Sequence, residues 1–261
     1  MRTAAIVRQV WPPLLLGVLF VAAWAIAVPL FDFKPYFLPS PASVGRAFVD
    51  SRESIRDAVW VTGFNAFVGL VLGTLLGIVV AFLLMRFSIL HDLINPLAIA
   101  LNAVPIFVLV TVFSRMYPQT SQLPRQLMVA LIVYFVVLVN VAKGLRQVQP
   151  THLELLQSYA ASPITVLRKL RVPNAVGYLF TALKIAAPAS VITAFVAEYF
   201  GGTQNGLGHR ITSSIAGSRA ALGWAYIIGA MLLGLTFYLI SILLENLTSP
   251  HRGASPGRES T

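Results

Sequence analysis

Residues 59–85 read VWVTGFNAFVGLVLGTLLGIVVAFLLM, a stretch with no charged side chain that exceeds the roughly 20 residues a helix needs to cross a bilayer core. Lipid offers no partner for a backbone N–H or C=O, so such a stretch is stable there only as a helix that satisfies its own hydrogen bonds. Gly69, Gly73 and Gly77 recur at every fourth position and share one side of that helix. They leave a bare stripe on which a second helix backbone can lie closely. The stretch therefore reads as a packed member of a helical bundle, not as a lone anchor.

Outward from it, further apolar runs at 13–30, 93–116, 127–142, 176–200 and 224–244 bring the expected total to about six spans. The fold class that follows is all-α, a polytopic transmembrane bundle, and an even number of spans puts both termini on one side. Pro105 interrupts the third run after Asn102, and an amide there can satisfy a backbone group that proline frees. Ala182, Ala186, Ser190 and Ala194 repeat the four-residue spacing in the fifth. Ala23-Trp24-Ala25 imitates a signal-peptide cleavage site, but the run around it is long for one, and a retained first span is expected. Between the first two spans, Ser40 and Pro41 supply an N-cap and first helical residue for an interfacial helix over 42–57. Residues 246–261, rich in Ser, Gly, Pro and charge, read as a disordered tail, which leaves 1–245 as the membrane domain.

Composition agrees. Of 261 residues, 57% are hydrophobic and 11% charged, with a mean hydropathy of +0.79, whereas soluble domains carry about a quarter charged residues. A net charge of +10 would suggest a nucleic-acid partner in a soluble protein. Here the basic residues are few and stand at the ends of apolar runs, so they face lipid headgroups and no nucleic acid is expected. There is no cysteine, and His91, His152, His209 and His251 lie in no metal-ligand spacing. No Ser-His-Asp set, paired carboxylates or phosphate loop is present. The Gly-rich segment 201–208 follows a span, not a strand, and reads as an external turn.

The longest polar interruption, 143–174, is patterned like structure. Thr151 and Glu154 stand as a capping box for a short helix to about Ala160, with Leu153, Leu156 and Ala160 on one face. Ser162-Pro163 starts a second helix, which Arg168, Lys169 and Arg171 close before Pro173. The pattern predicts a rigid helix-turn-helix knob. Lys143, Arg146, Arg168, Lys169 and Arg171 assign it to the cytoplasm, and with it both termini.

This loop resembles the coupling loop of permeases of binding-protein-dependent ABC importers, whose hallmark is Glu-Ala-Ala, three residues, Gly, nine residues, Ile, one residue, Leu-Pro. Glu154 and Pro173 stand at its full spacing, with Leu155 and Leu156 at the alanines, Ala160 at the glycine, Leu170 at the isoleucine and Val172 at the leucine. Leu38-Pro39-Ser40-Pro41, Asn102-Ala103-Val104-Pro105, Thr181-Ala182-Leu183-Lys184 and Glu198 with Gly206-Leu207-Gly208 are similar to the nitrate, sulfonate and taurine branch, which also includes permeases for thiamine-pyrimidine precursors. The resemblance implies a non-enzymatic subunit of a bacterial plasma membrane. It would form a path for a small-molecule substrate delivered by an extracytoplasmic binding protein, paired with a second copy or a paralogue. A pair of separate ATPase subunits would bind the ATP and grip the loop, and the chain itself would hold no cofactor.

Asn102, Pro105 and Glu198 are the residues expected on the path or its gate, Glu198 because an ionisable group at membrane depth is a functional candidate by default. A carboxylate bonded to Tyr199 or to loop amides at the water interface is the structural alternative for Glu198, and a snorkelling side chain is the expectation for Lys184. Two other functions compete. An ion-gradient transporter would need an internal repeat and a relay of ionisable groups, and a membrane scaffold would leave the patterned loop without a purpose. Because the chain lacks cysteine, a Ser162→Cys variant in intact cells reports topology directly. An impermeant thiol reagent should leave it unlabelled, and labelling would place the loop outside.

Overall fold

The computed structural model describes residues 2–87, 105–118, 120–201 and 205–248, with side chains from residue 11 onward. The described chain is helical: α1 (Arg2–Leu30), α2 (Pro41–Asp50), α3 (Arg52–Arg86), α4 (Ile106–Met116), α5 (Leu123–Arg146), α6 (Pro150–Ser158), α7 (Pro163–Val166), α8 (Val172–Phe200), α9 (Leu207–Ala216) and α10 (Ala220–Thr248). Five of its segments are long and apolar enough to cross a membrane, namely Trp11–Leu30, Arg52–Arg86, Leu123–Arg146, Pro163–Phe200 and Ala220–Thr248. The first half of the expected third span lies outside the described residues, and its described part carries the shorter α4.

The glycine stripe organises the bundle as its spacing predicts. A Cβ on Gly69 would meet Gln126 O at 2.8 Å, one on Gly73 would meet Ala130 O at 2.5 Å, and one on Gly77 would meet Tyr134 O at 2.9 Å. All three contacts advance in the same direction along both helices, so α3 and α5 are parallel. The end of α3 at Arg86 and the start of α5 at Leu123 therefore lie at opposite ends of the bundle. On the other side of α5 lies α8, antiparallel to it, and Ala182, Ala186, Ser190 and Ala194 are all fully buried in this packing. These stripes let backbones approach where lipid supplies no hydrophobic drive for association.

The periphery is looser. Along α1, Leu14, Leu16, Phe20 and Ile26 are exposed, as a lipid-facing helix requires, and Trp24 stacks on Trp224 at 5.3 Å. Ser40 does cap α2, accepting from Ser43 N–H at 3.3 Å. That helix ends at Asp50, not at 57, because the chain breaks at Ser51 and residues from Arg52 join the long α3. At the other end of the chain, α10 continues through Thr248, past the expected boundary at 245; the remainder of the expected tail lies outside the described residues. Within the span, Lys184 does not reach for solvent alone but pairs with Glu245 at 2.8 Å, tying α8 to α10.

Gly73→Val should be strongly destabilising, because its added carbons meet the backbone of α5 and not a movable side-chain end. A loss of about 3 kcal/mol, the upper range for overpacking, would appear as a lowered thermal midpoint of the purified protein. Gly17→Ala in α1, where nothing lies within 4 Å, should leave that midpoint unchanged.

Candidate functional site

Two regions carry the residues singled out by sequence. The first is the loop. Its opening helix α6 starts two residues earlier than the capping-box reading places it: Gln149 is the N-cap, Pro150 the first helical residue, and no side chain caps it. Proline explains the shift, since its ring sets the helical φ at the first position and drives the preceding residue into the extended region. Thr151 thus sits inside the helix. Glu154 is exposed and has no hydrogen-bond or ion-pair partner among the described residues.

The turn after α6 shows what the glycine position demands. Ala160 has φ of +51°, its N–H donates to Gln157 O at 2.8 Å, and Ala161 N–H donates to Leu156 O at 3.0 Å. This is the Schellman ending, in which the residue after the cap is left-handed and is usually glycine. Alanine takes the same geometry at a cost of about 1–2 kcal/mol. Ser162 then caps α7 as predicted, accepting from Thr165 N–H at 3.3 Å.

The second helix of the knob does not stop at Pro173. A wide π turn, Leu167–Arg171, follows α7 and runs straight into α8, so Pro163–Phe200 is one continuous helical path. In the wide turn, Val172 N–H donates to Leu167 O. Arg168, Lys169 and Arg171 are then not at a helix end, and Leu170, Val172 and Pro173 form the root of the span. The apolar tip is presented outward: Leu155 is 54% exposed, Tyr159 77% and Ile164 68%, and no residue of α6 is buried. Leu153 and Leu156 are half-buried, while Ala160 is exposed.

The second region surrounds Glu198, which is fully buried. Thr62 Oγ1 donates to its Oε2 at 2.7 Å, Gly208 N–H donates to the same oxygen at 3.2 Å, and Leu207 N–H donates to Thr62 Oγ1 at 3.0 Å. A carboxylate and a hydroxyl from two other helices thus take up the first two backbone donors of α9. The helix's own N-cap, Gly206, has no side chain to do so. Glycine is required there, because the Glu198 carboxylate fills the space a Cβ would need.

Arg125 Nη1 lies 3.9 Å from Glu198 Oε1, with side-chain exposures of 3% and 0%. This is within ion-pair range but beyond hydrogen-bond reach, and neither atom has a hydrogen-bond partner among the described residues. Beside the pair, Asn65 Nδ2 donates to Gln122 Oε1 at 2.8 Å and Gln126 Nε2 donates to Asn65 Oδ1 at 3.2 Å.

Of the three expected path residues, Glu198 is therefore placed in a buried fastening of α3, α5, α8 and α9. Its partners are Thr62, the Gly208 amide in the first turn of α9 and the Arg125 charge, not Tyr199. Pro105 stands immediately before α4, Asn102 lies outside the described residues, and so does the middle of the segment 201–208. Thr62 and Arg125 escaped sequence reading because a lone hydroxyl and a lone cation at a run's edge have no periodic signal. Among the described residues, no group of three or more His, Asp or Glu could hold a metal. The arrangement offers packing, capping and charge pairing.

Residues 73–251 match the family described as binding-protein-dependent transport system inner membrane component. The chain is 28% identical, over 89% of its own length and 94% of the relative's, to a Haemophilus influenzae protein named as a probable ABC transporter permease protein. It is 27% identical, over 94% of its length and 97% of the other's, to the formylaminopyrimidine transport permease protein ThiX of Halalkalibacterium halodurans.

Glu198→Gln should leave the Arg125 charge buried without its counter-charge, a loss of about 3–5 kcal/mol for broken buried pairs. The thermal midpoint of the purified protein should fall accordingly. Adding Arg125→Gln should recover part of the loss, and a double variant as unstable as the sum of the singles would show that the two do not act as a pair.

Proposed function

Since the chain belongs to the family of binding-protein-dependent transport system inner membrane components, we propose that it is the permease subunit of an ATP-binding-cassette importer whose loop 143–174 docks a separate ATPase. The observation that carries this is the exposed apolar tip of the loop. Leu155, Tyr159 and Ile164 face outward on a helix and turn held at both ends, with Glu154 unpaired beside them. An apolar surface of this kind, outside the lipid-facing belt, calls for a protein partner.

In this reading the loop and both termini are cytoplasmic, in the plasma membrane of a bacterium. A pair of ATPase subunits binds ATP and closes on the loops of this chain and of a second permease, either another copy or a paralogue. The closure rocks the spans between outward and inward openings, and this chain hydrolyses nothing itself. An extracytoplasmic binding protein delivers the solute. The ThiX relative, named for formylaminopyrimidine transport, favours a pyrimidine or similar small polar aromatic metabolite over nitrate, sulfonate or taurine. Glu198 serves the gate by holding α9 in place, and Asn102 and Pro105 border the path.

Glu154→Lys reverses the one acidic charge of α6 at an exposed position. It should cost the bundle about 0.5 kcal/mol or less, as surface substitutions do, while abolishing co-purification of the ATPase. Ala160→Asp should weaken that binding too. Ala160→Gly, which suits the left-handed turn, should preserve it. Full ATPase binding and transport-coupled hydrolysis in both Glu154→Lys and Ala160→Asp would overturn the docking role.

A further inference from the structure

No residue of α6 is fully buried and only Leu153 and Leu156 are half-buried, so α6 acts on the bundle chiefly through its two ends. Its C-terminal end is continuous, through the Ala160 turn and the Ser162 cap, with the helical path of α8. Its N-terminal end is the short segment Gln147–Gln149 after α5, which has no helix of its own.

The last-turn carbonyls of α5 show how that end is held. Lys143 O accepts from Gln147 N–H at 2.8 Å and Arg146 O from Val148 N–H at 3.0 Å. The others are taken by side chains of the neighbouring helical path. Asn174 Nδ2 donates to Gly144 O at 2.7 Å and to Gln147 O at 2.9 Å, and Arg171 Nη1 donates to Leu145 O at 3.3 Å. Asn174 thus uses both amide hydrogens, one on the helix and one on the segment beyond it, and bridges the point where α5 stops.

The bridge depends on close approach. Positions 171, 174, 175 and 178 lie on one helical face. That face presses on Gly144, where a Cβ would meet Ala175 Cα at 2.8 Å and Tyr178 Cβ at 2.9 Å. Arg146 Nη2 also donates to Leu84 O at 3.1 Å, so the end of α3 joins the same knot. Three long helices and the root of the loop are fastened within one turn.

We propose that Asn174, assisted by Arg171, is the positioning residue that makes the loop rigid to the bundle, so that a displacement of α6 moves α5 and α8 together. The role rests on the ATPase-docking reading above. The amide acts as a double donor and not as filler, because both its contacts are carbonyl oxygens.

That distinction sets the test. Asn174→Asp keeps the size but offers only acceptors to two carbonyls, and Asn174→Ala removes both bonds. In the reconstituted complex of permease, ATPase and binding protein, both variants should retain the ATPase and hydrolyse ATP. Uptake per ATP should fall by about tenfold, within the ordinary range of allosteric coupling, with Asp at least as impaired as Ala. Amide hydrogen exchange of the permease alone in bilayers should quicken over 145–161 and not along the spans. Wild-type uptake in Asn174→Asp, unchanged exchange, or loss of ATPase binding in parallel with uptake would each overturn the proposal. Quickened exchange in Asn174→Asp together with normal ATPase binding in Glu154→Lys would instead locate the failure in the docking reading.

Discussion

The contact on which the rest of the structure depends is the backbone approach of α3 to α5 across Gly69, Gly73 and Gly77. In lipid, apolar surface gains little by leaving its surroundings, so two helices stay together through close van der Waals fit and through hydrogen bonds that would otherwise be unmade. Three glycines one helical turn apart make that fit continuous over about two turns. They also fix its register: Gly69 against Val129, Gly73 against Val133 and Gly77 against Val137.

Register determines what meets at the two ends of this interface. At one end it sets Thr62 and Asn65 beside Gln122, Arg125 and Gln126, which is where Glu198 of α8 is received and α9 is capped. At the other it brings Arg146 to the last turn of α3, next to the carbonyls that Asn174 and Arg171 take up. Both are places where a backbone end would be left unsatisfied, and in both a side chain from another helix supplies the missing partner. The middle of the bundle is thus held by small residues and its ends by polar fastenings. In the proposed importer this makes the α3–α5 pair a stiff element between the loop and the buried node at Glu198.

Much of the architecture was legible because its cause is local and repetitive. A charge-free run of membrane length can only be a helix, and a four-residue recurrence of Gly or Ala can only be a stripe. The stripe of Ala182, Ala186, Ser190 and Ala194 is fully buried as its spacing implies. Ser40-Pro41 and Ser162-Pro163 cap their helices because serine and proline act within one turn of their own positions. The same local logic misjudged Thr151, where Pro150 started the helix first, and Pro173, where a wide turn carried the helix past a residue that usually ends one.

By itself, then, the sequence determined the class of fold, the apolar crossings, the packing stripes and the position of the patterned loop, since each follows from residues a few places apart. Only the tertiary structure decided the rest. It buried Glu198 against Thr62 and Arg125, which lie 136 and 73 positions away in the chain. It paired Lys184 with Glu245 and set Asn174 across the end of α5. Those partners have no fixed spacing, because what joins them is the register of one helix against another, and register is a property of packed surfaces.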